Sequence, residues 1–272
     1  MEKLDRLGWT VGMAVASQGV RVGIRANRVD ALERVAEQLP EGWKPARSRI
    51  VDMMYSISSH QNLPNSRVQR FNLLFGGAQR LARTMDFEEL LAAFNHDLHV
   101  TVAATARKRM FFQAGVVGWK GQAILAPGAD SSGKTRLVRA LVEAGATYYS
   151  NEFAVLDPEG QVHPYAVSME IESDDAGRPK IVPVRTMGWP VGKKPLPIGV
   201  IVLSQYKQGA VFNPARATPG EAVLTFLANC FSPLREPDAT LSLLAGVASG
   251  ATVLKGVRGE AREAVDAILS RI

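Results

Sequence analysis

The chain has 272 residues, of which 46% are hydrophobic and 21% are charged, and its net charge is +6. A chain of this length and composition can bury one large core or two modest ones, so we expect it to be globular. The basic residues are scattered and are not interleaved with a row of aromatic residues, which argues against a nucleic-acid-binding surface.

The cysteine content and the apolar runs restrict the compartment. The single cysteine, Cys230, cannot form an internal disulfide, and the first residues lack the apolar segment of a secretory signal. The apolar run Ile198 to Leu203 is far shorter than the roughly 20 residues that a membrane-spanning helix needs. We therefore expect a cytoplasmic protein that is not inserted in a membrane.

The first hundred residues mix short strand patterns with helical ones. In chain order they predict a hairpin over 9–24, a helix over 27–39, strands over 51–57 and 68–75, and a long helix over 86–107. Residues 1–107 are therefore predicted to form a small α+β domain.

The pattern changes at about residue 108. In chain order it predicts strands over 111–119 and 122–126, a helix over 134–144, strands over 146–150 and 153–156, a hairpin after the turn 157–160, a strand over 198–203, a helix over 222–228, a strand over 251–257 and a helix over 260–272. Thr218 to Glu221 has the residues of a helix capping box with proline in the first turn. Residues 108–272 are therefore predicted to form an α/β domain.

The strongest functional pattern lies between the second strand and the first helix of this domain. Its spacing is that of a phosphate-binding loop: Gly128, Ala129, Asp130, Ser131, Ser132, Gly133, Lys134 and Thr135. Glycines allow the tight bend that brings backbone N–H groups together, and the helix that follows points its positive end at the same place. Lys134 is expected to contact the β and γ phosphates and Thr135 to bind Mg²⁺. The alternative is a glycine-rich surface turn.

The second metal ligand of such a loop is not where most phosphate-loop enzymes have it. The strand over 198–203 ends in Ser204 and Gln205, without a carboxylate. The nearest acidic candidate is Glu152, which follows Asn151 directly after the next strand.

This spacing resembles the HPr kinase/phosphorylase family, and in particular its HPr-kinase-like relatives. The residues that carry the resemblance are Gln113 to Trp119, the loop Gly128 to Thr135, Gly145, the pair Asn151 and Glu152, Val162 to Tyr165, and Arg258 to Ala264. The resemblance covers roughly residues 108–272. It implies a phosphoenolpyruvate-carboxykinase-like P-loop kinase domain that uses ATP and Mg²⁺ to phosphorylate a hydroxyl, on a serine of a protein or peptide or on a small-molecule alcohol.

Two positions depart from the family pattern. The resemblance assigns the base to the position of Asn151 and a catalytic histidine to the position of Gln113, whereas Glu152 keeps the metal-binding carboxylate. An amide cannot take a proton, although it can orient a hydroxyl by hydrogen bonding. The catalytic candidates are thus Asn151, Lys134 and Gln113, with Glu152, Asp157 and His163 as substitute bases.

These two substitutions are compatible with three interpretations of the activity. The first is a kinase that is slow or that uses a different base. The second is a nucleotide-binding relative that no longer transfers phosphate. The third is a chain in which Asp was deliberately replaced by Asn. A further metal-binding carboxylate implied by the resemblance is Glu170, although the residue pattern favours a solvent-facing strand position ahead of the acidic segment 172–175. The first domain is expected to select the acceptor, and a second copy of the chain is a further candidate partner.

Two other groups are weighed and set aside. His96 and His99 have no carboxylate partner at a zinc-binding spacing and are interpreted as ordinary helix residues. Tyr148 and Tyr149 are interpreted as one buried and one exposed residue of a strand, because successive strand residues point to opposite faces.

Overall fold

The structure, a computed structural model, describes residues 5, 8–40, 42–48, 50–60, 71–129, 132–171, 180–231 and 237–272. The chain divides into two compact units, Met1–Arg107 with Ser168–Pro183, and Lys108–Val167 with Val184–Ile272. The division at residue 107 lies where the sequence pattern changes. Residues 168–183, predicted to belong to the second domain, group with the first unit instead.

The described elements combine strands and helices in both units. The strands are β1 Val11–Ser17, β2 Val20–Ala26, β3 Lys44–Pro45, β4 Met53–Ser58, β5 Asn72–Gly76, β6 Gln79–Thr84, β7 Met110–Trp119, β8 Gln122–Pro127, β9 Thr147–Ser150, β10 Phe153–Leu156, β11 Val162–His163, β12 Met169–Ile171, β13 Lys180–Val182, β14 Ile198–Tyr206, β15 Ala215–Arg216 and β16 Thr252–Arg258. The helices are α1 Val29–Ala36, α2 Phe87–Thr105, α3 Lys134–Glu143, α4 Pro219–Ala228, α5 Pro237–Gly250 and α6 Ala261–Leu269, with a 3₁₀ turn at Val184–Met187.

The first unit contains a six-stranded mixed sheet in the order β3-β1-β2-β4-β5-β6. Strands β2 and β4 are parallel, and the other neighbours are antiparallel. The predicted hairpin is confirmed: Gln18 and Gly19 have φ values of 50° and 84°, which suit a two-residue turn between β1 and β2. Strands β12 and β13 form a separate antiparallel pair in this unit.

Helix α2 supplies much of the core of the first unit. It begins at Asp86, whose side chain accepts a hydrogen bond from the N–H of Glu88 at 2.9 Å. Phe94 packs edge-on against Tyr55 of β4, with 5.1 Å between ring centroids. The Tyr55 hydroxyl donates to Asp97 at 2.6 Å, one helical turn from Phe94. The apolar periodicity of this segment therefore predicted both the helix and its inward face correctly.

The second unit contains an eight-stranded mixed sheet in the order β11-β10-β7-β8-β14-β16-β15, with β9 also paired to β7. Strands β8, β14 and β16 are parallel, so their carboxyl ends meet at one edge of the sheet. The α/β prediction is confirmed at this level. None of the described helices is both long and apolar enough to cross a membrane.

Helices cover both faces of this sheet. Phe112 and Ala114 of β7 belong to a buried cluster with residues of α4 and α5, including Phe226. Gly115, which points to the opposite face, lies against Val138 of α3. Helix α3 therefore packs on the face opposite to α4 and α5, and the loop before it crosses the edge where the parallel strands end.

Candidate functional site

The loop between β8 and α3 is anchored at both ends. At its start, the N–H of Gly128 donates to the carbonyl of Gln113 at 3.2 Å. At its end, Gly133 is the N-cap of α3 with φ of 79°, and its carbonyl accepts from the N–H of Leu137 at 3.1 Å. A side chain at Gly133 would be strained at this φ, and its Cβ would lie 2.5 Å from Nη2 of Arg258. Only glycine fits this position.

Lys134 closes the loop from inside. Its side chain is buried, with 8% of the residue exposed, and Nζ donates to the carbonyl of Ala129 at 2.6 Å. The N–H of Ser132 donates to the same carbonyl at 3.3 Å. The ammonium group therefore lies across the loop, beside the N-terminus of α3. The predicted loop residues Asp130 and Ser131 lie outside the described residues.

The loop contains a buried hydroxyl that lacks a partner. Oγ of Ser132 is enclosed and makes no hydrogen bond within the described chain. A buried polar atom without a partner is costly, and a ligand oxygen would relieve that cost. This hydroxyl, the ammonium group of Lys134 and the positive end of α3 are the groups that an oxyanion such as phosphate requires.

Asn151 and Glu152 lie at an interruption between two strands that pair with the same side of β7. Ser150 of β9 is opposite Val116, whereas Phe153 of β10 is opposite Gln113, so the pair lies beside Ala114 and Gly115. The carbonyl of Glu152 accepts from the N–H of Ala114 at 2.9 Å. Ala114 also pairs with Pro127 at the start of the loop, on its other side. The backbones of Glu152 and Pro127 are therefore two strand spacings apart, about 10 Å.

Five predicted site residues line one cavity of about 450 Å³. These are Gly133, Lys134, Thr135, Asn151 and Glu152, and the remaining lining residues are Arg136, Tyr206 and Arg258. Gln113, the predicted catalytic residue at the family's histidine position, does not line this cavity. Its main-chain carbonyl instead fixes the first glycine of the loop.

The amide of Asn151 is held by its neighbour Tyr148. Asn151 is 4% exposed, and its Oδ1 accepts from the Tyr148 hydroxyl at 2.5 Å. Tyr148 and Tyr149 are both buried, so the prediction that one of them is exposed was wrong. The reason is the segment that covers this strand: the N–H of Gly192 donates to the carbonyl of Tyr148 at 2.8 Å, and a Cβ at Gly192 would lie 2.2 Å from the Tyr149 ring.

Arg258 crosses beneath the loop from the end of β16. Its residue is only 1% exposed, and Nη2 donates to the carbonyls of Ser132 at 3.1 Å and Gly133 at 2.8 Å. Nε donates to Oγ of Ser204 at 3.3 Å. Burial lowers the pKa of this guanidinium, but an arginine in a protein keeps its proton. Its charge therefore adds to that of Lys134 at the same cavity.

Two of the three candidate metal ligands line the same cavity. Thr135 and Glu152 line the same cavity, and the two side chains offer a hydroxyl and a carboxylate. Glu170 lies in β12, opposite Ile181, and its side chain is outside the described part of the chain. Among the described residues there is no group of three or more His, Cys, Asp and Glu side chains that would hold a metal ion unaided.

Two of the candidate substitute bases bind each other. Nε2 of His163 and Oδ2 of Asp157 are 2.6 Å apart in the β10–β11 hairpin, and neither residue lines the cavity. Burial alone would raise the pKa of Asp157, but hydrogen bonds from His163 and from the N–H of Gln161 outweigh it and lower the pKa. Asp157 is thus the turn residue that its sequence position also predicted, and Glu152 is the remaining carboxylate at the cavity.

A second cavity, of about 550 Å³, adjoins the first half of the loop. Its loop residues are Gly128, Ala129 and Ser132. The remaining lining combines apolar side chains with hydrogen-bonding ones: Pro127, Leu203, Ser204, Gln205, Glu221, Leu224, Thr225, Lys255, Gly256 and Val257. A ligand on the loop therefore has the cavity with Lys134, Arg258 and Glu152 on one side. On the other side lies a cavity that combines apolar side chains with the ion pair of Lys255 and Glu221.

Sequence reasoning assigned no role to Arg258 or Tyr206. Tyr206 ends β14, which is parallel to β8, and Arg258 ends β16, which is parallel to β14. The carboxyl ends of such strands converge on ligand sites in open α/β sheets. The available signal was a charged residue immediately after the apolar run 251–257. Comparison with known proteins gave no match, since no protein-family model fits the chain and no curated protein is significantly similar to it.

Proposed function

We propose that the chain is an ATP-dependent kinase that transfers the γ-phosphoryl group to a hydroxyl of a protein, a peptide or a small molecule. The observation that carries the proposal is the convergence of Lys134, Thr135 and Glu152 on one cavity at the N-terminus of α3. An ammonium group, a hydroxyl and a carboxylate in this arrangement are the groups that phosphoryl transfer from a nucleotide needs.

Lys134 and the loop would bind the phosphate chain. Lys134 already donates to a loop carbonyl, so only a small movement is needed for Nζ to donate to a phosphate oxygen. The buried hydroxyl of Ser132 offers one further donor. Arg258 keeps the loop in this shape and contributes positive charge, which favours the charge carried by the phosphate oxygens in the transition state.

The donor set fits Mg²⁺ bound together with a nucleotide. Mg²⁺ is usually held by one or two carboxylates, substrate phosphates and several waters, and not by a cage of protein side chains alone. Thr135 and Glu152 are the residues that would hold it, and Glu170 remains a third candidate. When bound, the ion neutralises charge on the phosphates.

Asn151 supports transfer without a strong base. Phosphoryl transfer passes through a loose transition state and depends mainly on positioning and on neutralising charge. Loss of a general base lowers the rate by roughly 10²–10⁴-fold, which still leaves catalysis. The proposal is therefore a slow kinase, with Glu152 as the carboxylate nearest to Asn151 in the chain and in the cavity lining.

A second candidate function is nucleotide binding without transfer. It is favoured by the hydrogen bond between Tyr148 and Asn151, since the one acceptor atom at the base position is already occupied. Asp157 and His163, two of the alternative bases, contact each other and do not line the cavity, which also supports binding without transfer.

Three wider proposals follow from the resemblance to HPr-kinase-like proteins. The second unit would have the phosphoenolpyruvate-carboxykinase-like P-loop fold, the first unit would select the acceptor, and the protein would act in the cytoplasm. The mixed sheet with parallel β8, β14 and β16 and the loop before α3 is compatible with the first of these.

A transfer assay with radiolabelled ATP and Mg²⁺ tests the proposal. The unaltered protein is expected to label a serine-containing acceptor slowly, and Asn151→Asp is expected to accelerate labelling by roughly 10²-fold or more by restoring a base. Labelling by Asn151→Asp alone would support the binding-only alternative. ATP binding without labelling by either protein would contradict the kinase proposal.

A further inference from the structure

The Asn151 side chain presents its two ends to different surroundings. Its Oδ1 lies 2.5 Å from the Tyr148 hydroxyl, while the residue also lines the cavity beside the loop. O–H···O hydrogen bonds reach 2.5 Å, whereas N–H···O hydrogen bonds have typical lengths from about 2.7 Å upward. In the structure the amide oxygen, not the nitrogen, is the atom that faces Tyr148 and accepts from its hydroxyl.

The amide nitrogen is left for the cavity. Within the described chain, Nδ2 of Asn151 makes no hydrogen bond, and it is not among the enclosed polar atoms that lack a partner. It is therefore accessible from the cavity that Lys134 and Thr135 also line. An amide nitrogen carries two hydrogen-bond donors and no acceptor.

Tyr148 is itself held in place. Its side chain is fully buried, its ring lies 5.8 Å from that of Trp189, and its carbonyl accepts from the N–H of Gly192 at 2.8 Å. The carbonyl of Val167 is 3.4 Å from its hydroxyl, which is longer than an ordinary O–H···O bond. Of these two oxygens, Oδ1 of Asn151 is therefore the nearer acceptor of this hydroxyl.

We propose that Tyr148 is a positioning residue that turns the Asn151 amide so that its N–H₂ group donates to a phosphate oxygen of the bound nucleotide. The inference rests on the proposed nucleotide binding and deepens it. In this arrangement Asn151 is part of the anion-binding surface and does not orient the acceptor hydroxyl. The site accordingly selects a ligand that presents an anionic oxygen next to Glu152, the residue that would hold the metal ion.

A double-mutant cycle tests the inference. MgATP affinity is measured by calorimetry for the unaltered protein, Tyr148→Phe, Asn151→Ala and the double variant. Asn151→Ala is expected to weaken binding about tenfold, because a hydrogen bond to a charged group is lost. Tyr148→Phe is expected to weaken it about threefold, and the double variant should match Asn151→Ala, because Tyr148 acts through Asn151.

Tyr149→Phe is the matched control. Tyr149 is the next residue in the strand, and its hydroxyl donates to the carbonyl of Lys194 at 2.8 Å, away from Asn151. It should leave MgATP affinity unchanged. If thermal unfolding shows that Asn151→Ala does not fold, Asn151→Ser replaces it in the cycle.

The outcomes separate this inference from the proposed function. Three outcomes would overturn the role of Tyr148. The losses of MgATP affinity could add up in the double variant, Tyr149→Phe could lose as much affinity as Tyr148→Phe, or Asn151→Ala could bind MgATP as tightly as the unaltered protein. If the unaltered protein binds MgATP through Lys134 while the Asn151 and Tyr148 variants bind equally well, only this inference fails. If the unaltered protein binds no MgATP, the proposed function fails with it.

Discussion

At the scale of single residues, Arg258 explains how the loop keeps its shape. A buried guanidinium is costly unless its donors are used, and this one donates to the carbonyls of Ser132, Gly133 and Gly259 and to the hydroxyl of Ser204. The planar fork of arginine reaches several acceptors at once. Lysine has the same charge but no fork, so the two residues are not equivalent here.

Replacing Arg258 by lysine tests this role. Arg258→Lys keeps the charge but cannot bridge the two loop carbonyls and Ser204 together, so we expect MgATP binding to weaken about tenfold and the melting temperature to fall. Arg262→Lys is the control, because Arg262 is 82% exposed and contacts only the surface residue Glu143 among the contacts described. Equal affinity of Arg258→Lys and the unaltered protein would show that the charge alone is sufficient.

At the scale of elements, the close approach of α3 to β7 places the loop. Gly115 makes this approach feasible, since a Cβ there would lie 2.6 Å from Cγ2 of Val138 and 3.7 Å from Cβ of Lys134. Any side chain at Gly115 would push α3 outward and move Lys134 with it. The position of the ammonium group therefore depends on a glycine one strand away from the loop.

The effect of a methyl group at Gly115 tests this packing. Gly115→Ala is expected to destabilise the protein by about 1–3 kcal/mol through overpacking. Gly246→Ala is the matched control: this exposed glycine in α5 has open space around its Cβ, and alanine should stabilise the helix by roughly 0.5–1 kcal/mol. Denaturant unfolding of both variants measures the difference. A Gly115→Ala protein as stable as the unaltered one would contradict the close approach.

Element prediction succeeded where the signal is local. The capping box of Thr218 and Glu221 is present in α4, and Gly145 follows α3 with φ of 101° as a helix-ending glycine should. The helix α5 was not predicted, because it is rich in small and weakly helix-forming residues and only Thr240, Leu244 and Ala248 are buried. The four-residue spacing of these buried positions is recognised only after the helix is seen to pack against α4 and the sheet.

At the scale of the whole molecule, the candidate site draws on four segments that are distant in sequence. The loop, the pair at 151–152, Tyr206 and Arg258 meet because β8, β14 and β16 are parallel and β9 and β10 both pair with β7. The loop has a sequence pattern of its own and was predictable. Arg258 was not, because its role depends on strand order, which no local pattern encodes.

The grouping of residues 168–183 with the first unit was not predicted either, because no local sequence pattern encodes it. The hairpin of β12 and β13 is short and carries no signal that ties it to the first unit rather than to the sequence around it. The role of Glu170 as a metal ligand was implied by the resemblance alone, and that role stays a prediction.

Calorimetric titration of the purified protein with ATP, in the presence and absence of Mg²⁺, tests the central claim most directly. We expect magnesium-dependent binding of one ATP per chain, weakened about 100-fold in Lys134→Ala through loss of the charged hydrogen bonds to the phosphates, and unchanged in Lys193→Ala, an exposed lysine of the same unit. Absence of magnesium-dependent binding by the unaltered protein, or equal affinity of Lys134→Ala, would contradict a nucleotide site at this loop.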